Sequence, residues 1–522
     1  MRLCFLITLM VTCLNRVAYS QQLSDMQLGP DLNDKGSIIA ILGKSETNLY
    51  TLRSHQSSIF LQLYDAETFE EGVSTKVLVP ENPDYYLGID AVVLLNNRPV
   101  LIASGYDLSG SGYAVFGYEF DQNGNILGKP TTLLTATFMK SDHDIPLSIQ
   151  ISEDETRLFV MKKFESFTEE KMHYSFSIIG EELQSIFSDA YTCERSVKGK
   201  TLQLVDMKLD ELNSLHILQN SSVYSRAEKC YVTHVKLTSF HAGNSYQASV
   251  AEFDLAKGFC CGETRVSVTA TGIRLVGTYS SFQKKQLNGF RGVFCADIAD
   301  GDSFAKVVFT PYSNDIRLKS LRGRDETDGV DVPYYYTITD CFTDSLNNTY
   351  LISERQMITQ LQNGLTEYYY GSLIVTKLNS AGVVEWSKFV PKAQFFREKG
   401  IPIIVPVGMF TSVFFVRISK DARKFLSYKA WLKNGQLHFL FNDNPENEVK
   451  TQGQERMNYT KTQEGVPFLM NMEPDGNYSI QPRRDLMSND MNHQFRFSLI
   501  QDDFLYVVSS LKAAEQLQRF RL

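Results

Sequence analysis

Gly371–Gln394, GSLIVTKLNSAGVVEWSKFVPKAQ, decides how this chain is read. Ser372–Leu378 alternates faces as a strand does, and Asn379–Gly382 supplies residues that tolerate a tight turn. Val383–Val390 then returns as a second strand carrying Trp386, one of only 2 tryptophans. A hairpin of this kind predicts a sheet protein. Because Trp386 sits in an alternating strand beside Val384, it is expected to pack between sheets and not to serve as a carbohydrate platform.

Weaker copies of the unit occur upstream. PVLIASGY (Pro99–Tyr106) is followed by GYAVFGYEFDQNG (Gly112–Gly124), and IRLVGTY (Ile273–Tyr279) by GFRGVFCADIADG (Gly289–Gly301). NTYLISE (Asn348–Glu354) precedes the opening hairpin. Gly124 and Gly301 lie 177 positions apart, room for three units of about sixty residues, whereas Gly301 and Gly382 are 81 apart. The period is therefore loose. Helical signal is confined to Glu181–Ser188 and Ala513–Gln518, neither of which sustains an apolar stripe. The expectation is an all-β fold, a β-propeller of about seven blades of four-stranded antiparallel sheets over residues 36–522, with tandem β-sandwiches as the alternative.

Met1–Ser20 reads as a secretory signal peptide: Arg2, an apolar run from Leu3 to Leu14, and small residues at Ala18 and Ser20. Residues 21–35 read as a polar leader. No later stretch approaches the length of an apolar membrane span. The sequence carries a net charge of −8, and removal of the leader takes away two arginines and no acid, giving −10. Such a surface disfavours nucleic acid as a partner. Six cysteines remain after cleavage, Cys193, Cys230, Cys260, Cys261, Cys295 and Cys341; in an exported chain they are compatible with three disulfides of unassigned pairing.

The hairpin, read with GQLHFLFNDNPEN (Gly435–Asn447) and MEPDGNY (Met472–Tyr478), resembles a group of exported, uncharacterised β-propeller-like proteins of Bacteroidetes. In that group a W-x-K-x-x-P-K-x-Q segment precedes an F-N-D-N-P-x-N loop and a D-x-D-G type turn. The resemblance implies a propeller and export, and no reaction. The six cysteines depart from the pattern. So does the apolar stretch Phe395–Phe415, a buried strand pair unless Pro402 and Pro406 confine it to an edge or a broken strand.

Candidate chemistry is sparse. Asp121–Asn125 begins like a calcium loop, but Ile126 stands at its sixth position and Thr132 at its twelfth, which excludes an EF-hand. His143 lies between Asp142 and Asp144, where adjacent residues of an extended chain diverge. His234 and His241 are too far apart for a zinc pair on one helical turn, and neither a G-x-S-x-G elbow nor a phosphate-binding glycine loop is present, so no cofactor or metal is expected. The strongest polar cluster is Asn442-Asp443-Asn444, following the apolar run Leu437–Phe441. It reads either as a strand-exit cap or as a loop presenting Asn442, Asp443 and Asn444 to a ligand. The chain is thus expected to be an exported, non-enzymatic scaffold for a protein or glycan ligand. The alternatives are a propeller-type glycoside hydrolase or lyase with carboxylates from several blades, and a structural surface component.

Overall fold

In the computed structural model, residues 26–522 are described except for internal stretches, the longest being 138–142, 282–288, 300–304, 322–330, 400–424 and 451–455. The signal-peptide reading of Met1–Ser20, the cluster around His143 and most of Phe395–Phe415 lie outside the described residues.

Eight antiparallel sheets, each with a path of four strands, follow one another along the chain, over 37–76, 85–137, 143–194, 203–254, 259–311, 336–399, 429–482 and 492–521. Within each, strands a to d follow in chain order, apart from the outermost strand of blade eight, and the innermost strands touch between blades eight and one, one and two, four and five, and five and six. Apolar side chains fill every seam between consecutive sheets, including the seam between the last and the first. This ring of seams is a propeller and rules out tandem sandwiches. Eight blades replace the seven expected. The error came from the connections. The last strand of blade five ends at Pro311 and the first of blade six begins at Tyr336, and the first strand of blade seven begins at Lys429 after Lys399, so the spacing around blades six and seven inflates the apparent period.

The three copies read in the sequence are the b and c strands of blades two, five and six. The opening hairpin is the c and d pair of blade six, Leu365–Leu378 with Val384–Val390. Its c strand is extended, and its first half also pairs with Gln394–Lys399. The two helical candidates are corrected: residues 181–184 form a turn into the strand Ser185–Glu194, and Ala514–Arg521 is a strand. The former carries Ile186, Phe187 and Tyr191, β-favouring residues that outweigh the Glu-rich start.

Blade eight is finished by the other end of the chain. Gln27–Asp31 pairs with Ala514–Arg521 as the outermost strand, so the propeller reaches back into the stretch read as a polar leader. Gln516 Nε2 donates to the Gly29 carbonyl at 2.8 Å.

One turn recurs at the strand ends. Asp121, Asp210, Asp344 and Asn379 each accept the backbone N–H groups two and four residues on. The fourth residue of each turn, Gly124, Asn213, Asn347 or Gly382, has a left-handed backbone. The carboxylate of the calcium-like Asp121 loop is thus occupied by its own turn.

Candidate functional site

The innermost strands carry acids beside bulges, Asp206 buried and Asp90, Glu263 and Asp340 half-buried. Register shifts fall at Asp90 in blade two, next to Asp206 in blade four, at Glu263 in blade five and next to Asp340 in blade six. A bulge re-aims the side chain beside it. Here three of the four acids reach the next blade: Asp206 accepts the Val266 N–H at 2.7 Å, Glu263 the Ile338 N–H at 2.6 Å, and Asp340 the Tyr428 hydroxyl at 2.6 Å. Gln150 of blade three does the same for Leu209 N–H. Burial raises all four acids above the usual carboxylate range, Asp206 to about 6, against the opposing pull of Arg265 on Asp206 and Glu263. These groups staple blades together.

The predicted loop residues lie in a sealed network at the seam of blades six and seven. Asn442 and Asp443 are 0% exposed. Asn442 Nδ2 donates to the carbonyls of Phe425 and His493, at 3.0 and 2.7 Å. Asp443 pairs with Arg456 at 2.5 Å and accepts from Asn447 Nδ2 at 2.8 Å. Asn444 caps the short helix Pro445–Val449 by accepting the Glu446 N–H. Burial lifts Asp443 above the usual carboxylate range in spite of Arg456.

Lys392 and Gln394 of the opening stretch enter the same network. Lys392 Nζ meets Glu354 Oε1 at 2.6 Å, both groups fully enclosed, and donates to Gln394 Oε1 at 2.8 Å. Gln394 Nε2 in turn donates to the Asn442 carbonyl at 2.7 Å. Burial pulls Lys392 below the ordinary lysine value against the attraction of Glu354. Two sequence motifs some fifty residues apart therefore converge on one buried hydrogen-bonded unit. Trp386 lies half-buried between blades six and seven, its Nε1 donating to the Pro474 carbonyl at 3.0 Å.

Among the described residues Cys260, Cys261, Cys295 and Cys341 are free thiols. Cys260 and Cys261 are neighbours on one strand; the Cys261 thiol contacts Thr264 Oγ1 at 2.9 Å, and Cys295 Sγ lies 3.7 Å from Asp297 Oδ1. Burial pushes these thiols up, Cys260 to about 11 and the other three to about 12, so they stay protonated and inert. Cys230 is half-buried, and the side chain of Cys193 lies outside the described residues.

A Ser–His–Asp arrangement does exist. His216 contacts Asp210 Oδ2 at 3.1 Å and Ser239 Oγ at 2.9 Å. All three are buried, His216 at 1% exposure, so the trio ties a turn to strand c without access for a substrate.

The open site is elsewhere. The a–b turns of blades eight, one, two and three enclose a cleft of about 460 Å3 lined by Lys44, Glu46, Asn96, Asn97, Asp154, Glu155 and Asp502, among others. Asn96-Asn97 and Asp502-Asp503 are two-residue turns with left-handed backbone at both positions. Lys44 is already engaged by Asp502 at 3.2 Å. Asp154 is exposed; the pull of burial is outweighed by hydrogen bonds from Ser152 and Thr156, which hold it below the usual range. Burial, then Asp502 and Asp154, raise Glu155 to about 6. Glu155 occupies the left-handed fourth position of its turn, donating its N–H to Ser152 O. That position holds Gly or Asn in the four turns described above. Leu183 shares the anomaly, and its side chain is core. Glu155 instead lines the cleft with its carboxyl. The sequence signal was legible only as Glu153-Asp154-Glu155, a turn.

No family model and no curated protein matches the chain. Among solved structures it is similar to the uncharacterised protein lmo1340 of Listeria monocytogenes EGD-e, at 9% identity and TM-score 0.35, covering 94% of this chain and 93% of that one. It is also similar to the polysaccharide lyase Uly1, at 9% identity and TM-score 0.39, covering 96% and 100%, and to the Dos1 propeller, at 8% identity and TM-score 0.38, covering 95% of each. At this level the likeness assigns no activity. Among the described residues no helix is long and apolar enough to cross a membrane, and no group of three or more His, Cys, Asp or Glu is placed to hold a metal ion.

Proposed function

We propose that this chain is an exported, non-enzymatic propeller of the group its C-terminal part resembles, and that it binds a cationic segment of a partner protein at the acidic a–b-turn cleft. The observation that carries the reading is the cleft's charge: Glu46, Asp154, Glu155 and Asp502 come from three blades, and the one lysine lining it, Lys44, offsets only Asp502. Complementary charge gives such a site its selectivity and its salt dependence. Of the inner-strand acids, Asp206, Glu263 and Asp340 are already bonded across to the next blade. Because Glu155 titrates near 6, the cleft gains negative charge, and binding strengthens, as pH rises from 5 to 7.5.

Calorimetric titration of the full chain with hexalysine tests this. Salt-sensitive binding that is stronger at pH 7.5 and lost in Glu155→Gln/Asp502→Asn supports the reading; no binding at low salt overturns it. A second reading, a carbohydrate-active enzyme, is favoured by the opposed shifts of Asp154 and Glu155, an ionised carboxylate beside one that holds its proton near neutrality. Hydrolysis or elimination on an oligosaccharide, abolished by Glu155→Gln, would establish it in place of the first.

A further inference from the structure

Four Asn-x-Ser/Thr sequences occur, at Asn220, Asn347, Asn458 and Asn477, and the fold treats them unequally. Two are built into contacts. Asn220 lies within the b strand of blade four, paired on one side with Gln203 and on the other with Val235, its side chain against the Cys261 thiol. Asn347 has a left-handed backbone, its Oδ1 accepts the Ala270 N–H at 2.9 Å, and its hydroxyl partner Thr349 is 0% exposed and accepts from Arg274.

The other two share a different geometry. In Asn458-Tyr459-Thr460 and Asn477-Tyr478-Ser479 the middle tyrosine turns inward: Tyr459 is 2% exposed, and the half-buried Tyr478 donates its hydroxyl to the Phe389 carbonyl. Successive side chains of an extended segment face opposite ways, so each inward tyrosine leaves the flanking Asn and hydroxyl residue exposed on the surface together. Asn458 is held by its backbone carbonyl, which accepts from Asn444 Nδ2, leaving its own amide outside that bond. Asn477 Nδ2 donates only along the surface, to Asp475 Oδ2 at 2.7 Å.

We infer that Asn458 and Asn477 of blade seven are N-glycan attachment sites and that Asn220 and Asn347 stay unmodified, an inference that rests on the export reading above. The co-reactant is a lipid-pyrophosphate-linked oligosaccharide. Asparagine Nδ2 forms a bond to the anomeric carbon, the bond from that carbon to the pyrophosphate oxygen breaks, the lipid pyrophosphate leaves with the electron pair, and Nδ2 gives up a proton to base. No oxidant or reductant is needed.

The test is secretion of the complete chain from a eukaryotic host, in parallel with a form whose residues 1–20 are replaced by the host's own leader. Glycosidase treatment followed by peptide mass spectrometry should find glycans at Asn458 and Asn477. Asn458→Gln and Asn477→Gln should each remove one step of the mobility shift with unchanged thermal midpoint. Thr460→Ala and Ser479→Ala, which keep the asparagines, should do the same. Secreted protein without glycans, or with a glycan on Asn220 or Asn347, overturns the inference. If only the leader-replaced form is secreted, the export reading fails while site mapping on that form still decides the glycans.

Discussion

The seam between blades six and seven and the cleft under blades eight, one, two and three handle charge in opposite ways. At the seam, Glu354, Lys392, Asp443 and Arg456 are removed from water and held by partners in the protein. At the cleft, Glu46, Asp154 and Asp502 stay exposed, and only Glu155 is partly withdrawn. Both are carboxylate-rich, and both could be called polar clusters from sequence. The difference is enclosure: a buried ion pair has its bonding capacity committed to the fold, while an exposed acid beside a cavity keeps its capacity for something else.

Lys392→Ala should break the seam hardest, leaving Glu354 buried with its charge uncompensated, at a loss of about 3–5 kcal/mol in denaturant unfolding. A loss near zero would erase the distinction between the two regions. Arg274→Ala comes next, at about 3 kcal/mol: this 2%-exposed guanidinium grips Asp297 and the carbonyls of Asn347, Asn379 and Ser380, fastening blade five to both turns of blade six. Trp386→Ala should cost about 2 kcal/mol, less than a fully buried tryptophan because the ring is half-buried.

The pH dependence sharpens the comparison. Asp206 is raised by the fold to about 6, so its contribution is fully present below its unfolded value near 4 and is lost as pH rises through 6. Asp206→Asn keeps an acceptor for the Val266 N–H. It should therefore flatten the fall in thermal midpoint between pH 4 and 7, raising the midpoint at pH 7 relative to the parent. The smallest effect belongs to the cleft, where Glu155→Gln should shift stability at pH 7 in the same direction as Asp206→Asn but by less, because the carboxyl is only partly withdrawn from water, while altering ligand binding.

Much of the fold was legible because strands announce themselves locally. The hairpin at Asn379–Gly382 and its copies carry period-two patterning and a turn chemistry that the backbone obeys. The blade count was not legible, since the spacing from Pro311 to Tyr336 and from Lys399 to Lys429 breaks the regular repeat. Asn442 and Asp443 stood out because a strand ends in three successive Asx residues, yet their enclosure depends on Arg456, Phe425 and His493, partners that sequence distance hides. Glu155 was missed for the complementary reason. A glutamate in a Glu-Asp-Glu turn is ordinary until its left-handed backbone and its neighbour from blade eight, Asp502, are known.

The sheet that joins Gln27–Asp31 to Ala514–Arg521 has a temporal consequence. These two paired strands lie almost five hundred residues apart, so during synthesis Gln27–Asp31 has no partner until Ala514–Arg521 has been made. Seven blades can form in order of translation while the eighth waits, and the closing step carries the largest loop entropy in the molecule. A nascent chain stalled before Ala514 would leave Gln27–Asp31 without its partner strand, an unpaired edge of the kind that invites wrong pairing.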